Sequence, residues 1–282
     1  MLLESAMKRL ERARVLDAAG AQLVALAAPA LRPRLVVNAL SGTWLGHRLH
    51  PALVDAPIGF WTGALLLDLV ATAPARAGAD ALVGAGVVAA LPAAAAGVSD
   101  WAHTGGGPAR RVGLVHAAAN TMALGCYAAS WVARLLRQRR AAVGLAVAGY
   151  SSLLVGAYLG GHLAYVQAIG VERKAFVEGP REWTPVLAER DLAEGEPRVV
   201  DVAGTAVLLY RSGSCVRALA DSCNHLGGPL HEGTVADGCV TCPWHGSTYR
   251  LADGRVVRGP AAASQPVFRT RAADGVLYVR LA

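Results

Sequence analysis

The chain has 282 residues, 54% of them hydrophobic but only 6% aromatic and 17% charged. A soluble domain is about one quarter charged, so this composition lies toward the membrane class and excludes a disordered chain, while five Cys exclude a disulfide scaffold. The net charge of +7 sits entirely in residues 1–179, with 16 Lys and Arg against 9 Asp and Glu; residues 180–282 carry 11 of each, so the basic excess flanks apolar runs instead of forming a nucleic-acid face.

Residues 1–45 read as an amphipathic, cytoplasmic segment. Lys8, Arg9, Arg12 and Arg14 precede an apolar stretch, Ala21–Leu31, that contains Pro29 and is too short to span. The pattern of a cleavable signal peptide is not evident. Four long apolar runs follow: Leu53–Thr72, with Asp55 and Asp68 near its ends; Ala81–Ser99; Val112–Ala133; and Ala141–Tyr165. About 20 apolar residues cross a bilayer core, so residues 46–170 are predicted to form four transmembrane helices. Trp44, Trp101 and Trp131 fall near helix ends, where an indole can sit among headgroups. Ser152, Gly156 and Gly160 recur every four residues, placing small side chains on one face for close packing.

A polar linker, residues 171–182, precedes a change of pattern. From 183 to 282, β-branched runs (Arg198–Val202, Ala206–Tyr210, Val216–Leu219, Val276–Leu281) alternate with Gly-containing turns, which predicts a compact all-β domain. The expected fold class is multi-domain α plus β, a four-transmembrane-helix bundle followed by this β domain.

Two ligand-type pairs stand in the β domain, Cys223-Asn224-His225 and Cys242-Pro243-Trp244-His245, with 16 residues between them. Thiolates and imidazoles together suit zinc or an iron–sulfur cluster. Zinc fingers place two Cys in one pair and two His in the other. Here each pair holds one of each, so two loops can each offer a thiolate to one iron and an imidazole to a second.

The two boxes, Cys223–Leu230 and Cys242–Tyr249, resemble those of the Rieske family, over roughly Trp183–Ala282. The resemblance implies one [2Fe–2S] cluster, with Cys223 and Cys242 on one iron and His225 and His245 on the other. It also implies that Gly259-Pro260-Ala261 is the loop covering the cluster. Ser247 and Tyr249 match positions whose hydroxyls donate to a bridging sulfide and to a Cys sulfur, which raises the potential by stabilising the reduced form. Gly228 and Trp244 stand where the respiratory branch carries a bracing disulfide, so that bond is absent and an intermediate potential is expected. Cys126, Cys215 and Cys239 read as buried small side chains, and His231 as a surface residue.

His47, His50, His103, His116 and His162 all fall on the membrane face shared by the start of the first span, the end of the second, the start of the third and the end of the fourth, together with Asp55, Asp100 and Asn120. Ionisable groups in a membrane are functional hypotheses by default. His50, His103, His116 and His162 can ligate haem b, line a quinone pocket, bind another metal or pack as structural polar groups, and His116 and His162 lead because their helices are best defined. The run His50-Pro51-Ala52-Leu53-Val54-Asp55-Ala56-Pro57-Ile58-Gly59 resembles the opening motif of an uncharacterised bacterial membrane family, over roughly Gly46–Tyr165.

The function expected is a membrane-anchored electron carrier, or an oxidoreductase component, in a bacterial-type inner membrane. It would contact lipid and exchange electrons with a redox partner protein, or with a quinone or haem in its membrane domain, and bind no nucleic acid. The alternative is a redox sensor or an oxidoreductase with catalysis at the histidine-rich face. Arg32, Arg34, Arg48, Arg110, Arg111, Arg173 and Lys174 on that face outnumber Arg76, Arg134, Arg137, Arg139 and Arg140 opposite, which favours a cytoplasmic β domain although the Arg134–Arg140 cluster argues the other way.

Overall fold

The computed structural model describes residues 2–70, 72–175, 177 and 179–282; Ala71, within the expected first span, lies outside them. The chain forms two compact units, one of residues 1–32 and 48–169 and the other of residues 33–47 and 170–282. Among the described residues the α-helices are α1 Leu2–Arg12, α2 Asp17–Leu31, α3 Arg34–Ser41, α4 Leu49–Val70, α5 Ala73–Ala102, α6 Pro108–Leu135 and α7 Arg139–Gly161. All except α3 belong to the first unit.

In the helical unit α4 packs on α5, α5 on α6, α6 on α7, and α7 closes back on α4, leaving α4 and α6 on a diagonal. The core is built from small residues that admit a few large rings. Trp61 and Tyr127 stack across the diagonal with centroids 4.1 Å apart and planes 3° from parallel. A Cβ on Gly86 would lie 2.2 Å from Trp61 Nε1, one on Gly84 2.8 Å from Trp131, and one on Gly113 2.4 Å from Trp101. Trp101 and Trp131 are therefore packed on glycines of neighbouring helices, where the sequence suggested headgroup anchors.

Residues 1–45 do not form one segment. The amphipathic helix is α1, which buries Met7 against Val112 and Leu159. Residues Arg14–Leu31 are long and apolar enough to cross a membrane, as are α4, α5, α6 and α7, which makes five candidate spans by length and composition. Asp17, at the start of α2, accepts two hydrogen bonds of 2.7 Å from Arg111 at the start of α6. Arg48, just before α4, donates to Asp100 at the end of α5 at 2.8 Å. Within this unit α2 packs on α5 and α6, beside the four longer candidate spans α4 to α7.

At the opposite end Asp68 and Arg134, each with a side chain 1% exposed, are joined by Asp80 and Arg139 into one network that ties together α4, α5, α6 and α7. Asp68, tolerated in the sequence reading as an end-of-span charge, is thus a buried ion-pair partner. Removing one member of a buried pair strands the other charge. Asp68→Ala is expected to cost about 3 kcal/mol, read as a lower unfolding midpoint in detergent; an unchanged midpoint would remove this network from the account of bundle stability.

Among its described residues the second unit contains ten strands. A six-stranded antiparallel sheet has the order β1-β10-β9-β4-β3-β2, from β1 Thr184–Ala188, β2 Arg198–Val202, β3 Thr205–Ser212, β4 Cys215–Ala220, β9 Val267–Ala273 and β10 Val276–Leu281. A four-stranded sheet runs β5 Thr234–Ala236, β6 Cys239–Thr241, β7 Thr248–Arg250, β8 Val256–Arg258. The edge strand β8 is covered by α3, a segment more than 200 positions earlier. Asn38 Nδ2 donates to Val257 O at 3.0 Å and Asn38 Oδ1 accepts from Gly259 N at 2.9 Å, so one amide side chain takes the place of a missing strand. Nothing in local periodicity marks Asn38 for that role.

Candidate metal centre

Three loops meet at one end of the small sheet. The first follows β4, the second joins β6 to β7, and the third joins β8 to β9. The first two are scaffolded alike. Cys223 N donates to Gly228 O at 2.8 Å, and Gly227 N to Cys223 O at 2.8 Å. Cys242 N donates to Ser247 O at 2.8 Å, and Gly246 N to Cys242 O at 3.1 Å. In both, the residue four after the Cys is a glycine with positive φ, +84° at Gly227 and +73° at Gly246, a region that side chains avoid. Two copies of one turn thus present two thiols.

These turns bring together the four residues singled out in the sequence. Cys223 and Cys242 are buried side by side, and the rings of His225 and His245 lie 5.0 Å apart, 84° from parallel. Two imidazoles on one tetrahedral iron, each nitrogen about 2.1 Å from the metal, place their centroids about 5 Å apart. Among the described residues no three or more His, Cys, Asp or Glu converge as a site for a single ion. A donor set divided two and two suits a binuclear cluster whose sulfides complete each iron. Room for it is guarded by glycine: a Cβ on Gly228 would fall 2.8 Å from Cys242 Sγ and 3.0 Å from the Trp244 ring. Gly228 and Trp244 are therefore neighbours, an indole packed on a glycine between the two loops, and all five cysteines are free.

The protein dipoles favour negative sulfur. A hydrogen bond from Cys223, and after it the backbone N–H groups of Trp244 and His245, lower the pKa of Cys242. The adjacent Cys242 sulfur and burial push the Cys223 thiol up. Burial holds the Tyr249 phenol protonated, well above its ordinary pKa, so it is available as a donor. Its O–H donates to Asn224 Oδ1 at 3.0 Å, and its oxygen lies 3.1 Å from Cys223 Sγ. Ser247 is buried, and its Oγ accepts from Ala261 N at 3.0 Å, which joins the second loop to the third directly after the buried Pro260.

Several contributors were not legible in the boxes. Gln265, 2% exposed, accepts from Asn224 N at 3.2 Å and donates to Ala220 O and Ser222 O at 2.6 and 2.7 Å. Asn224 donates to Ser264 O at 3.2 Å and also to Ala263 O. The third loop is thus stitched to the first through two amide side chains. Lys174, whose ammonium is destabilised by burial, is near Asp221 and Cys223. His231, expected on the surface, is half-buried and bonded to the buried Asp221, Nδ1 to Oδ2 at 2.8 Å. Cys126, Cys215 and Cys239 are only partly buried.

The membrane histidines divide. His103 Nδ1 bonds Ser99 O at 2.7 Å, and His162 Nε2 meets Glu11 Oε1 at 2.8 Å. That bond holds the Glu11 carboxyl below its usual pKa. His47 is exposed and belongs to the second unit, and Asp55 faces outward from α4. His50 and His116 form a ring pair, 6.3 Å between centroids and 84° from parallel.

Residues 182–269 match the family described as Rieske [2Fe-2S] domain, and residues 46–173 match "Predicted membrane protein (DUF2231)". Ferredoxin CarAc of Metapseudomonas resinovorans is 33% identical over 98 residues, 34% of this chain and 92% of that ferredoxin. The chain belongs to the Rieske [2Fe–2S] family. The anthranilate 1,2-dioxygenase ferredoxin subunit of Burkholderia cepacia is 31% identical over 100 residues, 36% of this chain and 93% of that subunit. Apoptosis-inducing factor 3 of Homo sapiens is 33% identical over 91 residues, 32% of this chain but only 15% of its own length. The Rieske domain here is an electron-transfer module with a [2Fe–2S] cluster, joined to a membrane domain.

The three-loop brace makes a quantitative demand. Gln265→Leu roughly keeps the volume but strands two buried backbone groups, Asn224 N and Ala220 O, at about 1 to 3 kcal/mol each, and the partly buried Ser222 O. The expected outcome is a cluster that bleaches at clearly lower urea than wild type; an unchanged bleaching midpoint would mean that the third loop does not brace the site.

Proposed function

We propose that this chain is a membrane-anchored one-electron carrier in which Cys223 and Cys242 hold one iron of the cluster and His225 and His245 the other. The observation that carries the reading is the repeated turn. Each box closes its Cys with the same pair of backbone bonds but delivers the His two residues later in one and three later in the other. That offset supports thiols set side by side and imidazoles set together toward the tip of the domain. His245 is half-buried there beside Trp244, which is 56% exposed. An electron entering or leaving through that tip needs a docked partner, and the dioxygenase ferredoxins among the relatives favour a redox partner protein.

The cluster supplies a one-electron couple when bound. The chain's own residues set its potential: backbone N–H groups aimed at the sulfurs, the Tyr249 hydroxyl near Cys223, and the Ser247 hydroxyl, whose oxygen is already occupied by Ala261 N so that its proton is left for a sulfide. The Lys174 cation favours the more negative, reduced state. We place the domain on the cytoplasmic side. The opposing cluster Arg134–Arg140 loses weight because Arg134 and Arg139 are committed to Asp68 and Asp80 inside the bundle. A haem or a quinone in the helical unit is the proposed membrane-side partner.

Iron and acid-labile sulfide in the detergent-purified chain test the ligand assignment. Two of each per chain are expected in wild type and in Cys239→Ser, and near-complete loss in Cys223→Ser and His245→Ala. Loss in Cys239→Ser with retention in Cys223→Ser would overturn it.

A further inference from the structure

We infer that His50 and His116 are the two axial ligands of a haem iron held in the core of the four-helix bundle. This deepens the membrane half of the reading above and rests on it only for the presence of a redox centre there.

The two histidines occupy the diagonal, on helices that start at the same end of the bundle and run in the same direction. Eleven residues further along each helix stand Trp61 and Tyr127, which stack across the same diagonal. The same offset on both helices puts a second ring pair about 16 Å deeper on one seam. Cofactor sites in bundles are built in this way, from side chains facing across the core.

Each imidazole is oriented by a neighbouring helix. His50 Nδ1 lies 2.8 Å from Ala93 O on α5, and His116 Nδ1 lies 2.8 Å from Gly156 O on α7. A carbonyl only accepts, so Nδ1 carries the proton in both rings and Nε2 keeps its lone pair, the tautomer of a metal ligand with its supporting bond in place. Asn120 Nδ2 is nearly equidistant from the two nitrogens of His116, 3.4 and 3.3 Å, and donates to His116 O at 2.9 Å. It therefore lies over the ring and not on the Nε2 lone-pair axis. Space for the rings is kept by glycine: a Cβ on Gly97 would fall 2.8 Å from His50 Cε1, and one on Gly160 3.1 Å from His116 Cε1.

Spacing then selects the centre. Imidazoles in trans on one metal, each nitrogen about 2 Å away, put their centroids about 6 Å apart, against about 5 Å for a tetrahedral pair. The observed separation is 6.3 Å. Among the described residues no third His, Cys, Asp or Glu completes an ion site with them. The metal must bring its other ligands in the plane between the rings, which a porphyrin does, and the apolar bundle core suits its macrocycle. His103 and His162 are held by Ser99 O and Glu11 and are not part of the site.

The test uses the full chain in detergent from haem-supplied cells, with haemin titration of any unfilled fraction. Haem by pyridine haemochrome, the optical spin state and cluster iron are all read on the same sample. One low-spin, six-coordinate haem per chain is expected in wild type, His103→Ala and His162→Ala. His50→Ala and His116→Ala should each lose at least tenfold in bound haem or turn high-spin while keeping the cluster, and added imidazole should restore the low-spin spectrum. A low-spin spectrum unchanged in both variants, or a wild type that carries the cluster but takes up no haem from haemin, would overturn the assignment. Loss of cluster iron with low-spin haem retained would instead strike the electron-carrier reading and leave this one standing.

Discussion

Two short loops must each present a thiol and an imidazole at fixed separation, and no disulfide ties them together. The brace is a third loop and a lattice of buried hydrogen bonds. Ser247 receives Ala261 N, Asn224 reaches Ala263 and Ser264, and Gln265 reaches back to Ala220, Ser222 and the Asn224 amide. Ser247, Ala261, Asn224, Gln265 and Ala220 are buried, which makes the bonds among them costly to lose. The remaining architecture of the β unit serves this lattice. The small sheet fixes the two turns, the large sheet anchors the return of the third loop into β9, and α3 holds the edge strand from which that loop departs.

The helical unit answers a different constraint with the same economy of large side chains. Its helices are rich in Ala and Gly, so little bulk is available to fill a core. The few rings, Trp61, Trp101, Tyr127 and Trp131, each sit where a neighbouring glycine leaves space. Association between helices in lipid depends on such close fits and on internal polar contacts, since burial from lipid gives little by itself. The Asp68, Asp80, Arg134 and Arg139 network provides the polar contact at one end, and Arg48 with Asp100 and Arg111 with Asp17 provide it at the other. The small-residue stripe in α7 has more than one use. Gly156 accommodates Asn120, Gly160 accommodates His116, and Ser152 Oγ donates to Ala119 O.

What the sequence revealed was local. Apolar runs of about 20 residues announce four spans, alternating β-branched runs announce strands, and four ligands within 23 positions announce a cluster. What it concealed was pairing across distance. Asn38 reads as an unremarkable polar residue until it meets Gly259, and Gln265 as a loop glutamine until it meets Asn224. Asp68 looked like an end-of-span charge because its partners lie two helices away. The histidines of the helical unit were grouped by span end, not by contact: His162 is drawn off by Glu11, in a helix the sequence had assigned to the surface, and His50 stands opposite His116 instead. Sequence pattern sets the position of a residue along its helix, whereas rotation about each helix axis decides which groups meet.

The central claim is that a mixed-ligand cluster is held by the two boxes of this membrane protein. Pulsed electron paramagnetic resonance on the dithionite-reduced chain tests it most directly, because it detects nitrogens bonded to the paramagnetic iron pair. The account predicts couplings to two nitrogens, with one lost in His225→Cys and one in His245→Cys. A reduced cluster without nitrogen coupling, or couplings untouched by both substitutions, would contradict it.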